Sequence, residues 1–121
     1  MKDLKTELKN DNRIKQLTER IRATGDMGLL NKLGSMVGEK ALEKIDEGLK
    51  DSLVDEGYVR SIVAPVMRSV YEYMSDISAA VINRMYEKAG IGLKAIVPSY
   101  DTAKENEIIQ EIMNGEVEDD R

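Results

Sequence analysis

Apolar residues recur at helical spacing through residues 61–89, a long stretch without an internal glycine. Because flanking apolar residues widen the pattern to an arc of about 200°, it exceeds the ~100° stripe of a helix that lies on a surface. The sequence therefore predicts a long central helix that is covered from more than one side. Its inner line steps by three and four residues, the period of a helix face: Val63, Met67, Val70, Met74, Ile77, Val81 and Met85.

The two ends and the polar side of this helix are also marked in the sequence. Pro65 removes a backbone donor, so the main helix either starts near Ala64 or bends there. Gly90 can take the left-handed conformation that ends a helix. Four charged residues share the remaining arc and mark where the helix meets water or a polar partner: Arg68, Glu72, Asp76 and Glu87.

Residues 1–25 form a charged helical arm with seven basic and four acidic residues, a net charge of +3. The apolar positions change phase at Asn10-Asp11-Asn12, which suits a turn and a new N-cap. We expect two helices, at about 2–9 and 12–23, closed by Gly25. Interleaved acids favour a solvated helical surface, whereas the net charge leaves contact with phosphates as an alternative.

A second helical segment is predicted from Asp26, as N-cap, to Gly57, where the helix would end. Gly34 and Gly38 lie one turn apart within it, and a glycine inside a helix costs about 1 kcal/mol relative to alanine. Two explanations remain open for this pair. The glycines permit close approach of another helix, or they mark a bend or break near Gly34.

The stretch 91–98 does not favour a helix, because two glycines open it and Pro98 forces the residue before it into an extended conformation. We expect an extended arm here that either packs back on the bundle or adds an edge strand to a neighbouring subunit. Thr102 and Glu105 have the spacing of a capping box for a last helix, which Gly115 closes. Residues 116–121 form an acidic tail, and residues 101–121 together carry a net charge of −6.

These elements predict an all-α fold, a small helical bundle with one long central helix and a short extended arm, whose helical domain is 26–115. The wide apolar arc of the central helix exceeds what the narrow stripes of its neighbours cover. We therefore expect a homo-oligomer or a subunit of a larger assembly. The predicted interface consists of the inner line of the central helix, the two glycines of the second helical segment and three residues of the extended arm. The glycines and arm residues are Gly34, Gly38, Ile91, Leu93 and Ile96.

Composition argues against an enzyme and against a cofactor or metal. The chain has no Cys and no His, so the commonest ligands of zinc and haem and the commonest general base at neutral pH are missing. No apolar run approaches the ~18 residues of a membrane span, and no signal sequence is evident. We expect a soluble, intracellular protein that acts through protein contacts.

The stretch Ala89-Gly90-Ile91-Gly92-Leu93-Lys94 follows a Met-rich helix and precedes a proline-marked extended arm. In this respect the chain resembles small bacteriophage head proteins. The resemblance implies a virion structural or assembly protein that binds capsid or portal components, located in the host cytoplasm or the virion. Two alternatives remain: a small regulatory adaptor that binds a partner through an amphipathic helix, and a nucleic-acid-binding module that uses the N-terminal charged arm.

Overall fold

The computed structural model describes residues 3–49 and 55–115. Five helices and no strand lie within these two ranges, which confirms the all-α helical bundle. The longest helix has 33 residues and packs against each of the other four. In chain order the helices are α1 (Leu4–Asn10), α2 (Asn12–Thr24), α3 (Met27–Leu49), α4 (Glu56–Lys88) and α5 (Thr102–Met113).

Aspartates begin all five of the described helices by accepting hydrogen bonds from backbone amides of the first turn. Asp11 accepts from the amides of Arg13 and Ile14, so it separates α1 from α2 at the turn expected from the sequence. The hydrogen bond from Ile14 is the main cause that lowers the pKa of Asp11. The other capping residues are Asp3 for α1, Asp26 for α3, as the sequence predicted, Asp55 for α4 and Asp101 for α5.

The helix ends differ from the sequence prediction at one junction. α4 begins at Glu56 and places Gly57 in its first turn, so the prediction that Gly57 ends the preceding helix was wrong. α4 also continues through Pro65, and the predicted start near Ala64 lies eight residues too late. The turns at Gly25, Gly90 and Gly115 were predicted correctly, because all three take positive φ at a helix end.

The main hydrophobic core lies where α1, α2, α3 and α4 meet. Residues 3–25 contribute four fully buried side chains, so the described part of the N-terminal charged arm packs into the same core as the helical domain. Burial of this kind is the main source of stability for short helices, which are marginal alone. The buried members of this core are Leu4, Leu8, Ile14, Ile21, Leu30, Leu33, Val37, Val66, Ile77 and Val81.

The polar arc of α4 faces the N-terminal helices. Glu72 pairs with Lys5 at 3.5 Å and Asp76 with Arg22 at 3.4 Å, and both pairs are exposed to solvent. Such pairs contribute at most about 1 kcal/mol each, so they orient α1 and α2 more than they hold them. Glu72 and Asp76 thus meet both water and polar partners, as the sequence predicted for this arc.

No helix among the described residues is long and apolar enough to cross a membrane. The acidic tail, residues 116–121, lies outside the described residues.

Candidate functional site

The predicted interface line of α4 divides between the core and the surface. Val63, Ile77 and Val81 are buried inside the chain itself, so in this structure they offer no surface to a partner and the prediction is corrected for these three. Their neighbours Met67, Val70 and Met74 are half-buried against the two hydrophobic clusters of the chain. Met85 is 49% exposed.

Within the chain, neither a break at Gly34 nor a close helix approach at Gly34 and Gly38 is found. α3 is one unbroken helix, so there is no break at Gly34. A Cβ at Gly38 would meet no atom within 4 Å, and one at Gly34 would lie 3.7 Å from the Met74 side chain, which is ordinary contact. The close helix approach is instead at Gly48, where a Cβ would lie 2.5 Å from a methyl group of Ile62.

The extended arm packs back along α4, so the first of the two arrangements expected for it is confirmed. Its start is fixed by a Schellman turn, in which the amides of Gly90 and Ile91 donate to the carbonyls of Glu87 and Tyr86. Farther along, the amide of Ala95 donates to the side-chain oxygen of Asn83 at 2.7 Å. Backbone atoms of the arm are thereby attached to α4 near its end.

The far end of the arm is held by aromatic residues. Tyr71 of α4 donates a hydrogen bond to the carbonyl of Pro98, and its ring meets the edge of Tyr100 at a centroid distance of 5.5 Å. The guanidinium of Arg68 lies 5.0 Å from the centre of the Tyr100 ring, within the range of a cation–π contact. These contacts bring the start of α5 against the middle of α4.

Although its backbone is attached, the arm leaves most of its large apolar side chains in solvent. Ile91 is 45% exposed, Leu93 65%, Ile96 91% and Val97 40%. Met85 lies close by in sequence, one turn before the end of α4. We call these five side chains the arm surface: Met85, Ile91, Leu93, Ile96 and Val97. Three residues of the predicted interface, Ile91, Leu93 and Ile96, are therefore exposed together with Met85.

An apolar groove of about 230 Å³ lies between the arm and α4. Its floor consists of Val70, Met74 and Ile82 of α4, and its wall is formed by Ile96 and Val97 of the arm. The half-buried state of Val70 and Met74 results from this incomplete cover. The wide apolar arc seen in the sequence is thus covered by α5 near the start of α4 and only in part farther along.

A buried carboxylate fixes α5 to α4. Glu105 is 3% exposed, and its two oxygens accept from the Tyr100 hydroxyl at 2.6 Å and from Arg60 at 3.2 Å. Arg68 lies 3.7 Å from the same carboxylate. Every oxygen of the buried group has a partner, as a buried charge requires. Burial, followed by the hydrogen bond to Glu105, raises the pKa of Tyr100 to about 12.

The sequence prediction missed this cluster because it assigned Glu105 to a capping box. In the structure Asp101 is the N-cap of α5, and Glu105 instead faces α4. A signal was present, since Glu105 shares helical spacing with the buried residues Ile109 and Ile112. A carboxylate on an apolar face needs a buried partner, but nothing in the sequence pairs it with Arg60.

The carboxylates of α3 and the other described residues do not assemble into a group of three or more that could hold a metal ion. Comparison with models of protein families, with curated proteins and with solved structures gives no match to this chain. The candidate site therefore rests on the geometry of the chain itself, and its clearest feature is the arm surface.

Proposed function

We propose that the chain is a non-enzymatic assembly protein that associates with further copies of itself through the arm surface. The observation that carries this proposal is the exposure of Leu93 and Ile96 on a segment that is already held in an extended conformation, together with the exposure of Met85 near the end of α4. Burying one such side chain contributes about 1.5–3 kcal/mol. Several large apolar side chains that remain exposed on one short segment of a single chain are typical of a protein contact.

Charge favours a second copy as the partner. In sequence, three basic residues border the arm surface, namely Arg84, Lys88 and Lys94, although Lys88 also donates to the carbonyl of Thr24, and residues 101–121 carry a net charge of −6. The basic border of one copy and the acidic C-terminal region of another attract each other. Each exposed pair contributes less than about 1 kcal/mol, so the charges orient the encounter while the apolar side chains supply the affinity.

The resemblance to bacteriophage head proteins supports a more specific form of this proposal. The chain would be a virion structural or assembly protein that also contacts capsid or portal components, in the host cell or in the virion. The nucleic-acid alternative is less favoured, because Lys5 and Arg22 of the charged arm are paired with acids of α4.

Light scattering coupled to size-exclusion chromatography tests the proposal. The natural chain should elute with a mass above its 13.6 kDa, and the mass should rise with concentration. The double variant L93D/I96D should remain monomeric while it melts at nearly the same temperature, because both side chains are exposed. L42D is the matched control, since Leu42 is 61% exposed on α3, away from the arm, and should assemble normally.

Two results would contradict the proposal. One is a natural chain that stays monomeric at every concentration, which would favour the adaptor alternative. The other is an assembly that L93D/I96D and L42D leave equally intact, which would place the contact elsewhere on the chain.

A further inference from the structure

We propose that the association exchanges α5 between two copies, so that α5 of one copy packs on α4 of the other. This inference rests on the proposed self-association and adds the way in which it forms. Exchange of an identical element preserves the contacts of the single chain and links two copies without a new binding site. Three features of the chain favour it, and each concerns the attachment of α5.

The first feature is that α5 packs outside the main core. Its buried residues Ile109 and Ile112 form a separate cluster with Val59 and Val63 of α4. Among the described helices its backbone approaches α4 alone. Ile45 and Leu49 of α3 border the cluster, and α3 stays with the α4 of its own copy. The receiving site is thus complete in a copy whose own α5 has left.

The second feature is that, within residues 3–49 and 55–115, the polar contacts of α5 are made with α4 or within the segment that would move. Glu105 contacts Arg60 and Arg68, and the amide of Gln110 donates to Glu56 at 2.7 Å. Tyr100 travels with Glu105, because both lie on the same side of the connection. An α5 supplied by another copy would satisfy the same groups, so exchange leaves no buried charge without a partner.

The third feature is the connection, residues 90–101, which contains no helix or strand. At roughly 3.3 Å per residue its twelve residues span up to about 40 Å, far enough to reach a neighbouring copy. In the closed chain the side chains of Leu93 and Ile96 remain 65% and 91% exposed. When the connections of two copies cross, Leu93 and Ile96 of one copy can pack against the same residues of the other. The closed chain has no such contact.

Chemical cross-linking can distinguish exchange from contact between closed chains. The chain has no cysteine, so thiols can be placed where they are needed. Glu56 and Gln110 are exposed and touch across the junction of α4 and α5. Variants E56C and Q110C would be prepared separately, mixed, unfolded, refolded together and treated with a short bismaleimide. In an exchanged heterodimer, one of the two α4–α5 contacts carries both cysteines.

The expected result is a covalent species of twice the chain mass in the mixture and not in either variant alone. The double variant E56C/Q110C is the matched control, because its isolated dimers should link chain to chain if α5 is exchanged. Dimers of the double variant that link only within each chain would overturn the exchange and leave self-association standing. A chain that is monomeric by light scattering would overturn both proposals.

Discussion

Ile62 of α4 packs directly against Gly48 of α3, so the two helices approach each other closely there. A Cβ on Gly48 would lie 2.5 Å from Cγ2 of Ile62, a distance that real Cβ atoms do not adopt. The Tyr58 hydroxyl closes the same junction by donating to the carbonyl of Gly48 at 2.7 Å. The close approach that the sequence suggested for Gly34 and Gly38 is thus made ten residues farther along α3.

Gly48→Ala should therefore destabilise the chain by about 1 kcal/mol. The methyl group overpacks against a branched side chain, at a typical cost of 1–3 kcal/mol, which exceeds the ~1 kcal/mol gain in helix propensity. Gly38→Ala is the control and should stabilise by up to about 1 kcal/mol, since its Cβ meets open space. Denaturant melts would measure both. A stabilising G48A would contradict the close contact, and in an I62A background G48A should become favourable.

The inner line of α4 should respond very differently along its length. Ile77 is 1% exposed, so Ile77→Asp should destabilise by several kcal/mol because an unpaired carboxylate would sit in the core. Met85, two turns farther on, is 49% exposed, and Met85→Asp should change the free energy of unfolding by less than about 0.5 kcal/mol. Equal effects of the two variants in urea melts would show that this part of α4 is not in the core.

Tyr100 should make the chain sensitive to alkali. Its pKa of about 12 lies above the usual 10.0, so the folded state keeps the phenol proton where the unfolded state loses it. The stabilisation is therefore complete below pH 10 and is lost as the pH rises toward 12. Between these values the free energy of unfolding should fall more in the natural chain than in Tyr100→Phe. Parallel pH profiles for the two proteins would contradict this assignment.

The glycine that opens the extended arm should be far less replaceable than the next one. Gly90 has φ = +71°, a conformation that costs other residues about 1–2 kcal/mol, so Gly90→Ala should lower the melting temperature. Gly92 does not have positive φ, and a Cβ there meets nothing within 4 Å. Gly92→Ala should leave the melting temperature unchanged or raise it slightly. Similar losses for both variants would argue against the Schellman turn.

Local sequence patterns predicted the helices well, because the residues that begin, continue and end a helix lie within a few positions of one another. The phase change near Asp11, the repeat from Val63 to Met85 and the glycine at 90 each depend on neighbours in sequence. Gly57 misled because glycine also occurs near helix starts. In the structure Asp55, two residues before Gly57, accepts a hydrogen bond from the amide of Tyr58 and so sets the start of α4.

The contacts that define the candidate site depend on pairs that are far apart in the chain. Glu105 meets Arg60 across 45 residues, and no rule of spacing connects them. The degree of cover also could not be predicted, because Ile77 and Met85 lie on the same line of α4 and only Ile77 belongs to the cluster formed with α1, α2 and α3. The exposed state of Ile96 likewise follows from the path of the arm and not from its hydrophobicity.

The division of the apolar side chains into two clusters gives the chain two levels of protection against hydrogen exchange. Opening of α5 uncovers Val59 and Val63 but leaves the cluster around Ile77 and Val81 closed. Amides of α5 should therefore exchange with deuterium through a local opening that costs less than global unfolding. Amides near Ile77 and Val81 of α4 should exchange only when the whole bundle unfolds. The amides of α5 and these amides of α4 would therefore report two different free energies of opening.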